Sequence, residues 1–148
     1  IAGAKVSIGC VPSDNTHKHI LNILLKNNRF SINGNNYKTN DGTCVRDYVN
    51  VSDVCDVILK ILRRKETKIQ NHSLNCGSGI GTSVKSIANL FKKKINNDLI
   101  IDVGKKRLGD PIRIVANNNK IKKLIKVNFN KSKLDTIIKE YNEWYKRK

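Results

Sequence analysis

The chain has 148 residues, enough for one domain with a buried core, and a formal net charge of +17. It contains no apolar run long enough to cross a membrane and no charged-then-apolar leader, so we expect neither a membrane protein nor a secreted one. The four cysteines form no CxxC pair, which favours reduced thiols in the cytoplasm, and Cys55 among apolar neighbours is predicted to lie in the core.

The positive charge is spread through the chain rather than gathered in one segment. Most Lys residues lie close to Asn or Ile, a pattern typical of coding sequences rich in A and T. Aromatic residues make up only 5% of the chain, too few for an obvious base-stacking surface. A basic nucleic-acid-binding module therefore remains an alternative that rests on net charge alone, and we do not expect specific binding to nucleic acid.

In chain order, the first predicted element is a buried helix at residues 19–26, followed by a short strand at 30–32 and a turn at 33–36. The clearest helix comes next, with Ser52 as its predicted N-cap and Asp53 complementing its dipole. Its apolar side chains recur at helical spacing and form one stripe, which consists of Val54, Val57, Ile58, Ile61 and Leu62.

A glycine-rich run at residues 77–81 separates a predicted strand at 72–76 from a helix capped by Thr82 or Ser83. The run is not a dinucleotide fingerprint, because its third glycine lies at the wrong spacing and no acidic residue follows a second strand. It is predicted to form a tight turn between the strand and the helix. A short buried strand is predicted at 99–103.

The remaining predicted elements are short. Residues 109–111 break the chain, a short helix is predicted at 117–125, and the final helix begins with the capping pair Ser132 and Asp135. The alternation of small strands with amphipathic helices predicts an α/β fold without internal repeats.

Four short segments stand out by their order along the chain: AGA at residues 2–4, DGTCVRDYV at 41–49, LNCGSG at 74–79 and RLGDP at 107–111. In this order they resemble segments in the C-terminal half of UDP-glucose 4-epimerases, which are extended short-chain dehydrogenase/reductase enzymes. The resemblance spans residues 1 to about 127. It implies that residues 1–148 are the C-terminal nucleotide-sugar-binding domain, a fragment of a Rossmann-type α/β enzyme whose N-terminal Rossmann core is missing.

The resemblance also implies how the chain binds a UDP-sugar. Arg46 and Arg107 would hold the diphosphate, Asp110 the ribose hydroxyls, and residues 32–34, with Asn33, the uracil. A guanidinium group suits a diphosphate because its planar fork makes charge-assisted hydrogen bonds to phosphate oxygens.

From the residues alone, structural interpretations of the same positions stay open. Arg46 could instead pair on the surface with Asp47 or Asp53. The sequence around Asp110 could serve only as a turn, since Gly-Asp-Pro is a common turn sequence. The ligand roles therefore follow from the resemblance and not from the spacing.

Three further positions are compared with the family pattern. His17 lies ahead of the first helix, where the family has an Asn or His that contacts the diphosphate region, so it is another candidate. Asn33 stands where the family usually has an aromatic residue, and Asn50 where it usually has His. The wall around the uracil is thus expected to offer backbone groups rather than an apolar surface.

The family's NAD fingerprint and its catalytic Ser/Thr and Tyr-x-x-x-Lys belong to the N-terminal half and do not occur in this chain. No residue is therefore assigned as catalytic, as an NAD contact or as a metal ligand. The implied activity is that of a UDP-glucose 4-epimerase, in which bound NAD takes a hydride from C4 of the sugar and returns it to the opposite face.

The expected function is thus interconversion of UDP-glucose and UDP-galactose in galactose metabolism, with this chain as the UDP-sugar-binding part, inactive alone. The N-terminal Rossmann half, which binds NAD, would come from the same or a separate chain. A homodimer is one expected state of the full-length enzyme. Another nucleotide-sugar enzyme of the same superfamily is a further alternative.

Overall fold

The computed structural model of the chain describes residues 20–64 and 73–147. The candidate residue His17 lies outside the described residues. A 3-10 turn at Asn130–Ser132 precedes the last helix. The helices and strands are α1 (Ile20–Lys26), β1 (Arg29–Asn33), β2 (Val45–Asp47), α2 (Val51–Leu62), β3 (Gly81–Ser83), α3 (Val84–Lys94), β4 (Ile100–Gly104), β5 (Arg113–Ile114), α4 (Asn119–Ile125) and α5 (Leu134–Lys146).

Two small sheets organise this α/β fold. β1 and β4 run parallel, with Asn33 opposite Gly104 at the end of the pair. In the other sheet β2 is central, antiparallel to β3 and parallel to β5. Arg46 therefore lies on the middle strand, opposite Thr82 on one side and Ile114 on the other.

The main core lies where α1, α3 and α5 pack against β1 and β4. Ser83 is the N-cap of α3, since its hydroxyl accepts a hydrogen bond from the amide of Ser86, which confirms one of the two predicted caps. Each fully buried large side chain contributes about 1.5–3 kcal/mol by leaving water. The buried members are Leu21, Leu24, Phe30, Ile32, Ile87, Ala88, Phe91, Leu99, Ile137, Ile138 and Tyr141.

A second, smaller core joins α2 to α4, and a buried asparagine organises its edge. The N-cap of α2 is Asn50 and not Ser52, because the Asn50 side chain accepts a hydrogen bond from the Ser52 amide at 2.8 Å. The Asn50 side chain also donates to the carbonyl of Lys131 and to Glu140, and the Asn50 backbone amide donates to the hydroxyl of Ser132. Asn50 has no solvent-exposed surface. The residue that replaces the family's usual His at this position therefore has a structural role, because it caps α2 and bonds to the segment before α5.

The predicted capping pair of the last helix is wrong for a related reason. The Ser132 hydroxyl donates to the buried carboxylate of Asp53 at 2.6 Å, and the N-cap of α5 is Lys133, which has no side-chain cap bond. Asp135 instead pairs with Lys94 at 2.5 Å, and this hydrogen bond lowers the pKa of the Asp135 carboxyl group. Bonds between distant segments therefore override the local capping pattern.

The predicted apolar stripe of α2 is only half buried. Val57 is buried and Val54 partly buried, whereas the side chains on the outer face are 43–75% exposed. Cys55 is also exposed, so its predicted place in the core is wrong. We call this outer face of α2 the open face; its apolar residues are Ile58, Leu59, Ile61 and Leu62.

The predicted strand at 72–76 is not formed by its described part, residues 73–76. A strand requires a hydrogen-bonded neighbour, and no described segment pairs with these residues. The strand at 99–103 is confirmed as β4, but the side chains of Ile100 and Val103 are more than half exposed. Among the described helices, none is long and apolar enough to span a membrane.

Candidate functional site

A cavity of about 570 Å³ opens between α1, β1, β2 and the loop that joins β4 to β5. This volume falls in the range of sites for small molecules. Four residues that the sequence analysis singled out line it: Asn33, Arg46, Arg107 and Asp110. Arg46 and Asp110 are 64 positions apart along the chain, so the fold brings separate segments to one place. Their role as ligand contacts remains a prediction.

Arg46 is held in place by three hydrogen bonds. Its Nη1 donates to the carbonyls of Val45 and Pro111, both at 2.8 Å, and its Nη2 donates to Asp110 Oδ1 at 2.5 Å. The surface pairing considered from sequence, with Asp47 or Asp53, is thus replaced by an ion pair with Asp110. Among the described residues, the Nε–H and one Nη2–H have no partner, which leaves donors for a phosphate group.

Arg107 and Asp110 lie on a turn between β4 and β5 that forms part of the cavity wall. The Asp110 amide donates to the Arg107 carbonyl at 3.4 Å, and Gly109 between them has φ +76°, so the expected turn is present. Asp110 Oδ2 accepts from Cys44 Sγ at 3.7 Å, while its other oxygen faces Arg46. Arg107 is exposed, and its guanidinium makes no hydrogen bond or ion pair within residues 20–64 and 73–147.

The end of β1 provides a rigid loop beside the cavity. Gly34 has φ +84°, a left-handed conformation that favours glycine. A Cβ at this position would lie 3.0 Å from the Cβ of Lys106 and 3.2 Å from Cε2 of Tyr37. The Lys106 ammonium group lies 4.3 Å from the centre of the Tyr37 ring, a cation–π contact that closes the outer side of the loop. The preceding residue, Asn33, lines the cavity.

The sequence analysis missed several residues of the cavity wall, among them Cys44 and Tyr48. These two residues alternate with Arg46 along the β2 region, and alternate residues of a strand share one face. This spacing is the signal that would have identified them. Burial raises the pKa of Tyr48 to about 12, so its phenol stays protonated near neutral pH and keeps its hydrogen-bond donor.

The glycine-rich loop at 77–81 does not fit the pyrophosphate of NAD. The amides of Ser78 and Gly79 donate to the carboxylate of Asp47 at 3.1 and 2.9 Å, and the Ile80 amide donates to the Ser78 hydroxyl. These donors are therefore already bound to an internal carboxylate. In the part of the chain that the structure describes, no group of three or more His, Cys, Asp or Glu side chains suits a metal ion.

A sequence profile described as "NAD dependent epimerase/dehydratase family" matches residues 11–77. The chain is 31% identical over 147 residues to the UDP-glucose 4-epimerase of Mycoplasma genitalium, an alignment that covers 96% of this chain and 43% of that protein. The chain belongs to the NAD dependent epimerase/dehydratase family. Within it, the chain is also 40% identical over 93 residues to UDP-arabinose 4-epimerase 1 of Arabidopsis thaliana, which covers 62% of this chain and 22% of that protein.

Solved structures agree with this membership of the epimerase/dehydratase family. A crystal structure of a UDP-glucose 4-epimerase superposes with a TM-score of 0.88 at 28% identity, and the match covers 99% of this chain and 46% of that one. The predicted resemblance and the predicted α/β fold, part of an extended short-chain dehydrogenase/reductase fold, are therefore confirmed. The chain spans less than half the length of these relatives. They are UDP-sugar epimerases.

Proposed function

We propose that this chain is the UDP-sugar-binding part of a cytoplasmic UDP-sugar 4-epimerase that interconverts UDP-glucose and UDP-galactose. One observation carries the proposal: two arginines, an aspartate and an asparagine from separate segments line a single cavity of about 570 Å³. A diphosphate that leaves bulk water needs compensating positive charge, and Arg46 and Arg107 provide it. The relatives named for UDP-sugars support uridine diphosphate as the anion.

Each residue then has a distinct task. Arg46, fixed by protein acceptors on one side, offers its remaining N–H groups to the diphosphate, and Arg107 offers a whole guanidinium. Asp110 accepts hydrogen bonds from the ribose hydroxyls beside Arg46. The loop with Asn33 and Gly34 contacts the uracil. A firm hold on UDP with a loose hold on the hexose lets the sugar turn without leaving the site, which epimerisation at C4 requires.

NAD supplies hydride transfer when it is bound, and in this proposal it binds outside the 148 residues, because the glycine-rich loop does not fit it. No catalytic residue is assigned to this chain. The chain alone is accordingly inactive. Incubation with UDP-galactose and NAD, followed by separation of the products, should show no UDP-glucose, and measurable turnover would contradict this part of the proposal.

The open face of α2 is where the N-terminal Rossmann half docks, whether it belongs to the same chain or to another. Four exposed apolar side chains there have no covering element among the described residues. Residues 73–76, which pair with no described strand, give the same half a segment to pair with. The chain as a whole, residues 1–148, is then the nucleotide-sugar-binding domain of the longer enzyme.

Calorimetric titration with UDP tests the binding site directly. Arg107→Ala should weaken UDP binding by roughly tenfold, since one charge-assisted contact is lost. Arg29→Ala is the matched control, because Arg29 pairs with Asp102 and does not line the cavity. Equal affinities of the two variants, or no binding of UDP to the wild type, would reject the proposal.

The nucleic-acid alternative predicts a different result from the same preparation. Filter binding of an oligonucleotide at increasing salt would show a steep loss of affinity that added UDP does not change. Competition by UDP at low salt would instead favour the cavity as the main anion site.

A further inference from the structure

The carboxylate of Asp47 is the most heavily hydrogen-bonded side chain next to the cavity. Its Oδ1 accepts from the Ser78 amide at 3.1 Å and from the Ser78 hydroxyl at 2.5 Å. Its Oδ2 accepts from the amides of Gly79 at 2.9 Å and Ala116 at 3.2 Å. Both carboxylate oxygens of Asp47 therefore accept hydrogen bonds from backbone amides of other segments.

These four bonds join three segments of the chain: the central strand β2, the loop at 77–81 and the segment after β5. Asp47 directly follows Arg46, whose side chain binds the carbonyl of Pro111. The segment that carries the cavity residue Asp110 is thus tied to β2 by three side-chain contacts, Arg46 at Asp110 and at Pro111 and Asp47 at Ala116, in addition to the pairing of β5 with β2.

The packing around this carboxylate leaves no room for adjustment. A Cβ at Gly77 would lie 2.7 Å from Asp47 Oδ2 and 2.5 Å from the Cβ of Ala116. The loop, the carboxylate and the segment after β5 therefore touch at van der Waals distance, and only glycine fits between them. A small displacement of Asp47 is transmitted directly to Ala116.

We infer that Asp47 is a positioning residue for the diphosphate site, which fixes the distance between Arg46 on β2 and the turn that carries Arg107 and Asp110. The inference rests on the proposed function. Asp47 does not touch the diphosphate in this scheme, since its oxygens are occupied by the loop and by Ala116. It sets the separation of the groups that do.

Asp47→Asn tests the inference, because an amide offers one acceptor oxygen where the carboxylate offers two. UDP affinity should fall about tenfold, whereas uridine affinity should fall less, since uridine keeps only the Asp110 contact to the ribose and lacks the diphosphate. Asp53→Asn is the matched control: Asp53 is a buried carboxylate that accepts hydrogen bonds from Ser132 and Lys131 in the other core. It should alter neither affinity. Equal losses of UDP and uridine affinity in Asp47→Asn would mean a general structural role and overturn the inference.

A double-mutant cycle separates action through Arg46 from other effects. In an Arg46→Ala background, Asp47→Asn should reduce UDP affinity by less than twofold. A full tenfold loss in that background would overturn the inference. If Asp47→Asn does not fold, Ser78→Ala removes the hydroxyl that donates to Asp47 at 2.5 Å and accepts from the Ile80 amide, and it should show the same pattern at smaller size.

A measurement made without ligand distinguishes the positioning role of Asp47 from the proposed binding of UDP. In spectra of arginine-labelled protein, the Nε–H signal of Arg46, assigned with Arg46→Lys, should be resolved in the wild type because its Nη1 is anchored. It should shift or broaden in Asp47→Asn and not in Asp53→Asn. An unchanged signal in Asp47→Asn would overturn the positioning role even if UDP fails to bind, while failure of UDP binding alone would overturn only the proposed function.

Discussion

The cavity side of β2 and the open face of α2 follow one another closely in the chain, yet they differ in how their groups are satisfied. Around β2, the charged side chains have partners: Arg46 has three acceptors and the Asp47 carboxylate accepts four hydrogen bonds. On α2, Ile58 and Leu62 are half or more exposed. The comparison indicates that the cavity is assembled within this chain, whereas the apolar surface of α2 has no covering element among the described residues.

The largest effect is expected where the two regions meet, at Asn50. Asn50→Ala removes the α2 cap and takes the side-chain amide donor away from the Lys131 carbonyl and the Glu140 carboxylate, so the free energy of unfolding should fall by about 3 kcal/mol. Urea denaturation followed by circular dichroism measures this. Asn36→Ala, at an exposed site, is the control and should change stability by less than about 0.5 kcal/mol. A similar small change in both variants would contradict the structural role of Asn50.

Arg46→Lys tests whether the hydrogen bonds of Arg46, and not only its charge, are needed in the cavity. Lysine keeps the charge but cannot supply the fork, the two carbonyl contacts and the Asp110 pair together, so UDP affinity should fall roughly ten- to a hundredfold. Calorimetry with UDP measures the loss. Arg29→Lys should leave it unchanged, because Arg29 lies outside the cavity. Retention of full affinity by Arg46→Lys would show that charge alone matters.

The open face can be altered without touching the cavity. Ile58→Lys with Leu62→Lys should raise the solubility of the chain and change its free energy of unfolding by no more than about 0.5 kcal/mol for each substitution, because both side chains are exposed. UDP affinity should not change.

In a co-expression experiment, the double variant should fail to associate with the N-terminal half of a related epimerase, whereas Lys85→Ala on α3 should associate normally. Association of the double variant at wild-type strength would reject the docking proposal.

The smallest expected effect is a pH dependence at Asp41. Burial acts to raise the pKa of its carboxyl group, but hydrogen bonds from Ser83 and Thr43 and the charge of Lys85 outweigh it and leave the pKa lowered. Because the folded pKa lies below the unfolded value of about 3.9, the carboxylate stabilises the fold above that value and loses this contribution as the pH falls through the folded pKa.

Urea denaturation across pH measures this effect. The difference in unfolding free energy between wild type and Asp41→Asn should be constant from about pH 7 to 5 and should shrink below about pH 4. Exposed Asp98→Asn is the control. A difference that does not change with pH would contradict the lowered pKa of Asp41.

Local sequence signals were sufficient for some of these features and insufficient for others. The cap at Ser83 and the turn before Asp110 were predicted because each depends on neighbouring residues. The cap of α2 was misassigned because Asn50 and Ser52 are both good caps, and the choice was made by hydrogen bonds to residues about 80 or more positions away.

The candidate site was likewise predicted only in part. The family resemblance singled out Arg46, Arg107 and Asp110, and the fold brings them to one cavity, but the ion pair between Arg46 and Asp110 was not predicted. Pairs between segments 64 positions apart have no signature in a single sequence. The α2 stripe was predicted as apolar but not as exposed, because periodicity reports which side chains are apolar and not what covers them.

The two arginines of the cavity carry the same charge but differ in how firmly the protein holds their side chains. Arg46 is immobilised by Val45, Pro111 and Asp110 before any ligand arrives, so it loses little rotamer freedom on binding, whereas the exposed Arg107 must become ordered at a cost of about 0.5–1.5 kcal/mol. In the proposed site, Arg46 is therefore the fixed contact that sets the orientation of the first phosphate, and Arg107 is the mobile one. Substitutions that stiffen the loop of Arg107 should raise UDP affinity without adding a contact.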